Sequence, residues 1–132
     1  MSYQQASSLR PRDGKTLMVL GIARISTEHQ DKKSLKDQEN LYLEWLAKHY
    51  EGEYSLKMIS GQGSGENLIR QEYHQAIELV ESEKFDLVIA EDLGRISRRI
   101  HAQLFCELCE DTNTRLIAIN DSVDTGVENW RM

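Results

Sequence analysis

The stretch Met18-Val19-Leu20-Gly21-Ile22-Ala23-Arg24-Ile25-Ser26 decides how the rest of the chain is read. It opens as a nearly continuous apolar run, the pattern of a parallel strand buried on both faces, and closes with an arginine and a serine two residues apart. On a strand that spacing aims both side chains at one face. The polar run 27–33 cannot extend the strand, so Arg24 and Ser26 are expected at its carboxyl end, where open α/β sheets bind their ligands.

On the amino side of this strand, residues 1–15 are polar, carry Pro11 and the turn-like Asp13-Gly14, and read as a flexible tail. On its carboxyl side, Ser34-Leu35-Lys36-Asp37 has a capping-box form and predicts a helix to about Tyr50. Leu35, Gln38, Tyr42 and Leu46 fall on one stripe of that helix. Gln38 interrupts the stripe, and from the pattern alone it reads as a solvated edge position.

Residues 54–59 predict a second strand, followed by a flexible loop, Ser60-Gly61-Gln62-Gly63-Ser64-Gly65. The loop lacks the Gly-Lys-Ser/Thr ending of a P-loop and the Gly-x-Gly-x-x-Gly fingerprint, so nucleotide binding is not expected. A helix over 69–82 follows, with Ile69, Tyr73, Ala76, Ile77 and Val80 on one face and Asn67 as its cap. Arg70 then stands in the first turn, where a cation opposes the helix dipole; that points to a role other than helix stability.

Residues 85–90 predict a third strand, and the next stretch, Glu91-Asp92-Leu93-Gly94-Arg95-Ile96-Ser97-Arg98-Arg99, is the second informative one. Ser97 can cap a helix that carries Ile100, Leu104, Phe105 and Leu108 inward. Arg95, Arg98 and Arg99 gather at that strand-to-helix junction, where free backbone N–H groups also point outward, which makes a local anion site. Residues 115–119 predict a fourth strand, 120–126 are polar, and 127–132 read as the start of a further helix without a stop signal, as in a chain that is cut rather than finished. Three strand-to-helix alternations imply βαβ units. The expected fold is α/β, with three α/β/α layers around a mostly parallel sheet of four to five strands.

With 132 residues the chain can bury one core but not two comfortable ones. Its 16 basic and 22 acidic side chains give a net charge of -6, so bulk charge cannot grip a polyanion and any such partner must meet locally focused arginines. No segment approaches the roughly 18 apolar residues of a membrane span, and there is no apolar signal core at the N-terminus; a cytoplasmic location without membrane association is expected. Cys106 and Cys109 form a lone Cys-x-x-Cys in mid-helix, with no second pair to complete a zinc site, and read as reduced, partly packed thiols.

A serine attacks poorly unless something takes its proton and something stabilises the charge that develops on its target. The nucleophile elbow Gly-x-Ser-x-Gly is absent, and His29 lies in a polar loop where it reads as solvated. Arginines suit a phosphodiester target, whose non-bridging oxygens they bind through paired hydrogen bonds that strengthen in the transition state. Such a centre needs no metal and no cofactor.

Arg24-Ile25-Ser26, Gln38, Ser64-Gly65 with Arg70, and Leu93-Gly94-Arg95-Ile96-Ser97-Arg98 occur in the order and approximate spacing of the serine recombinase (resolvase/invertase) catalytic domain, which this sequence resembles from about Val19 onward. The segment 121–125 also looks like that family's turn before its long helix. The resemblance implies a resolvase-like catalytic domain over 16–126 and the start of an inter-domain helix over 127–132. It implies that Ser26 attacks a DNA phosphate to form a 5′-phosphoserine linkage, releasing a 3′-hydroxyl. Arg24, Arg70, Arg95 and Arg98 fall on the family's arginines around the scissile phosphate, and Gln38 on its active-site glutamine, which gives the polar break in the helix stripe a reason.

The implied partners are double-stranded DNA and further copies of the protein, as a dimer and as a synaptic tetramer in which strands are exchanged and rejoined without ATP or metal. The implied setting is prokaryotic, phage or mobile-element, and the glycine loop before Arg70 leans towards the large serine integrase branch. In this family a separate DNA-binding region follows the catalytic domain, which fits an acidic fragment whose affinity for DNA lies mainly elsewhere.

One departure matters. The family usually has aspartate where this chain has Gly94. Either Asp92 or Glu91 supplies the missing carboxylate, or Asp92 is a solvated loop acid and the site lacks that group. Two other readings stand beside the recombinase: a DNA-associated or dimerisation module that kept the fold and lost the chemistry, and an unrelated α/β phosphate-binding or hydrolytic domain.

Overall fold

The computed structural model describes residues 9–24, 32–61, 66–91, 99–120 and 123–126. Strand β1 (Thr16–Arg24) is followed by helix α1 (Lys32–His49), strand β2 (Glu53–Gly61), helix α2 (Glu66–Glu81), strand β3 (Leu87–Ala90), helix α3 (Arg99–Asp111), strand β4 (Arg115–Ala118) and the two-residue strand β5 (Val123–Asp124). The sheet order is β2-β1-β3-β4-β5, parallel through β4 and antiparallel at β5. This is the expected α/β architecture with a mostly parallel sheet.

Alternation along the strands feeds two cores. Leu17, Val19, Leu87, Ile89 and Ile117 pack with Tyr42 and Leu46 of α1 on one face of the sheet. Leu20, Ile22, Val88, Ala90, Leu116 and Ala118 pack on the other face with Ala76 and Val80 of α2 and with Phe105, Cys106 and Cys109 of α3. Because β1 and β3 are buried on both faces, almost every residue in them is apolar, and each fully buried Leu, Ile or Val contributes about 1.5–3 kcal/mol.

Several local expectations shift. α1 begins at Lys32, so Ser34 lies inside the helix and not at its cap. α2 begins at Glu66, which places Asn67 within the first turn and Arg70 just beyond it, where the dipole argument loses force. β2 runs through Ser60 and Gly61, which therefore belong to the strand and not to the loop. Leu104 is 53% exposed, because the buried stripe of α3 follows Phe105, Cys106 and Cys109. β5 went unread within the polar stretch 120–126.

Residues 9–15, read as part of the tail, are tied to the domain. The Arg12 amide donates to Asp86 Oδ1 (2.8 Å), its Nε to the Phe85 carbonyl (3.0 Å), and its Nη2 to the Thr112 carbonyl (2.7 Å) and Thr114 Oγ1 (2.9 Å). Asp86, only 7% exposed, also accepts the Met18 amide through Oδ2 (2.7 Å). One carboxylate thus fastens the segment before β1, β1 itself and the lead into β3 at the amino end of the sheet.

Candidate active site

Strands β1 and β3 are neighbours, with Ile22 opposite Ala90. From β1 the chain passes through α1, on one face, to β2 on one side; from β3 it passes through α3, on the other face, to β4 on the other side. Right-handed crossovers in opposite directions require this arrangement, and the carboxyl ends of two strands so placed are where open α/β sheets bind their ligands. Arg24 is the last residue of β1, paired with Gly61 of β2, and Glu91 directly follows β3. The two informative stretches of sequence therefore leave adjacent strands at the same end of the sheet. Ser26, Asp92, Arg95 and Arg98 lie outside the described residues.

Gln38 is only 5% exposed, so the stripe-based reading of a solvated edge position is wrong. An amide costs free energy to bury unless it is hydrogen-bonded, so the position holds a polar group inside the α1 side of the domain. Arg70 lies on α2, the helix that follows β2. Glu91 is held through its backbone on two sides: its amide donates to Tyr42 Oη (2.9 Å), and its carbonyl accepts the Asn120 amide (2.7 Å).

Sequence reasoning placed Tyr42 in the core and missed its hydroxyl. Tyr42 is wholly buried one helical turn after Gln38, and its Oη donates to the Ile22 carbonyl (2.6 Å) while accepting from Glu91. The available signal was a phenol, with one polar atom to satisfy, inside an otherwise apolar stripe.

The Cys-x-x-Cys pair is free and buried. Burial raises the Cys106 thiol from the ordinary 9.0 to about 11, helped by Glu107 and Glu110, and raises Cys109 well above it. Neither is a thiolate near neutral pH. Among the described residues no three His, Cys, Asp or Glu side chains gather into a metal-binding group, and no helix is long and apolar enough to cross a membrane.

The N-terminal catalytic domain of TP901-1 integrase superposes with a TM-score of 0.63 at 24% identity, covering 89% of this chain and 87% of that one. The C-terminal catalytic domain of ISC1926 TnpA, an IS607-like serine recombinase, gives 0.65 at 21% identity over 78% of this chain and 70% of that one. A resolvase family site-specific recombinase from Streptococcus pneumoniae gives 0.65 at 21% identity over 82% and 75%. These likenesses bear on the fold. No curated protein matches the chain. The family model of the resolvase N-terminal domain matches residues 19–132, and the chain belongs to that family.

Proposed function

We propose that this chain is the catalytic domain of a site-specific DNA recombinase in which Ser26 is the nucleophile. Ser26 Oγ loses its proton and bonds to a DNA phosphorus while the P–O3′ bond breaks; the 3′ oxygen leaves as a hydroxyl and the phosphate stays on Ser26 and the 5′ strand. The number of phosphodiester bonds is unchanged, so the freed 3′-hydroxyl of another strand can reverse the step without an external energy source. Arg24, Arg70, Arg95 and Arg98 bind the non-bridging oxygens and stabilise the added charge of the transition state, with Gln38 among the polar groups of the site. In this reading guanidinium groups do the work a metal would otherwise do, residues 16–126 form the catalytic domain, and 127–132 begin the helix towards a DNA-binding region.

The observation that carries this reading is the adjacency of the β1 and β3 carboxyl ends, because it brings the roots of Arg24-Ile25-Ser26 and of 92–98 together in a family of recombinase domains. Gly94, standing where the family usually has aspartate, favours one second reading: a DNA-associated module that no longer cleaves. The test uses the full-length protein with nicked DNA from its own genomic neighbourhood, trapping covalent adducts and mapping the attached residue by mass spectrometry. An adduct on Ser26 that vanishes in Ser26→Ala is the expected result; binding without an adduct selects the second reading. Asp92→Asn, run beside Arg95→Ala, tests the substitute carboxylate. Unchanged cleavage in the first with none in the second removes Asp92 from the mechanism.

A further inference from the structure

We infer that Tyr42 is a positioning residue of this site: its single buried hydroxyl sets the separation and direction of the two strand ends from which the reacting groups emerge. The inference rests on the recombinase reading above for what those ends carry.

The Ile22 carbonyl that accepts from Tyr42 lies two residues before Arg24 and four before Ser26, and the Glu91 amide that donates to Tyr42 lies one residue before Asp92 and four before Arg95. A tyrosine hydroxyl offers one donor and accepts through its lone pairs, so the two bonds use both capacities at once and fix their relative direction. The ring cannot slide to relax them. Gly21 lies beneath it, where an added Cβ would stand 3.0 Å from Tyr42 Cδ2 and 2.6 Å from Met58 Sδ, so the phenol lies close against the β1 backbone. The Glu91 carbonyl is held from the other side by the Asn120 amide (2.7 Å), so Glu91 is fastened through both its backbone N–H and its C=O. Tyr42 touches no reacting atom in this scheme; it acts through Ile22 and Glu91.

A purely structural hydroxyl would lower stability and change nothing else. Tyr42→Phe keeps the ring and removes both bonds, and Asp86→Asn is the control, since Asp86 ties the same two segments at the opposite end of the sheet. In the full-length protein, at a temperature where all variants are folded, Tyr42→Phe is expected to slow single-turnover adduct formation roughly tenfold or more, because small misplacements of reacting groups are costly. DNA affinity should stay within about twofold, since the phosphate-binding side chains are retained. Glu91 amide hydrogen exchange should accelerate about tenfold, the loss of one hydrogen bond. Asp86→Asn should lower the melting temperature and leave the adduct rate unchanged. Adduct formation at the unmodified rate in Tyr42→Phe, or a rate loss matched by Asp86→Asn, overturns the inference. Should the unmodified protein form no adduct, the recombinase reading fails on its own, and the clamp is still judged by exchange: a Glu91 amide equally protected in Tyr42→Phe and the unmodified protein overturns it.

Discussion

The two ends of the central sheet are built on opposite plans. At the amino end Asp86 and Arg12 satisfy one another and four backbone groups, those of Met18, Arg12 itself, Phe85 and Thr112, in a network that leaves Asp86 enclosed. At the carboxyl end one neutral hydroxyl, Tyr42 Oη, joins β1 to the residue after β3. An ionic network at one end and, among the described residues, a neutral hydroxyl link at the other divide the labour: the amino end holds the sheet together, and the carboxyl end presents what leaves it.

That contrast predicts where substitutions hurt stability and where they hurt chemistry. The largest loss of stability is expected from Asp86→Ala, which strands the Met18 and Arg12 amides and removes the carboxylate beside the Arg12 guanidinium; about 3 kcal/mol is the scale for losing charge-assisted bonds in a buried setting. Chemical denaturation measures it, and the adduct yield per folded molecule should not fall. A fall would erase the distinction between the ends. Next comes Gly21→Ala, where the added methyl meets Met58 Sδ and the Tyr42 ring and costs roughly 2 kcal/mol as overpacking. Unlike Asp86→Ala it should also slow adduct formation, because it displaces Tyr42. A variant that loses stability without losing rate would break the comparison.

Arg115→Lys should cost roughly 1 kcal/mol: it replaces the fork in which Nε and Nη2 of Arg115 hold the two oxygens of Asp124 at 2.8 and 2.6 Å, a half-buried geometry that lysine cannot reproduce. Thermal melting reads this, with the adduct rate as the sharper readout for the neighbouring β4–β5 edge. The smallest effect is expected near neutral pH at the cysteines. With both thiols raised by burial, the Cys106 contribution to stability is full below about pH 9 and is lost as pH rises towards about 11, and the Cys109 contribution is lost in the same direction. Native protein at pH 8 should therefore resist iodoacetamide, and the melting temperature should decline only above pH 9. Rapid alkylation of the folded protein would show that the α3 face opens.

The sequence was legible where burial is two-sided. β1 and β3 announce themselves because almost every residue in them must be apolar, and the crossovers between them then leave few topologies. It was less legible wherever a distant partner decides. β5 is two residues long and owes its place to Arg115, nine positions away from Asp124. Helix starts were misplaced by two or three residues because Ser34 and Asn67 look like caps but lie inside the first turns. In α3 the stripe was drawn through Leu104, when two cysteines mark the inward edge. For the candidate site, the order of motifs was readable and the strand ends fell where expected. The burial of Gln38 and the two bonds of Tyr42 were not, since each depends on what α1 packs against and not on α1 itself.

Gly21, Met58 and Tyr42 also constrain one another by descent. A Cβ at position 21 would lie 2.6 Å from Met58 Sδ and 3.0 Å from Tyr42 Cδ2, so the thioether must swing away first and the ring must give only slightly. A lineage that acquires alanine or serine at 21 puts its first pressure on residue 58 and a lesser one on the ring whose hydroxyl spans the two strand ends. Among descendants of this chain, a Cβ at 21 should therefore arrive with a smaller or reshaped residue at 58, while Tyr42 is kept for its two bonds to Ile22 and Glu91.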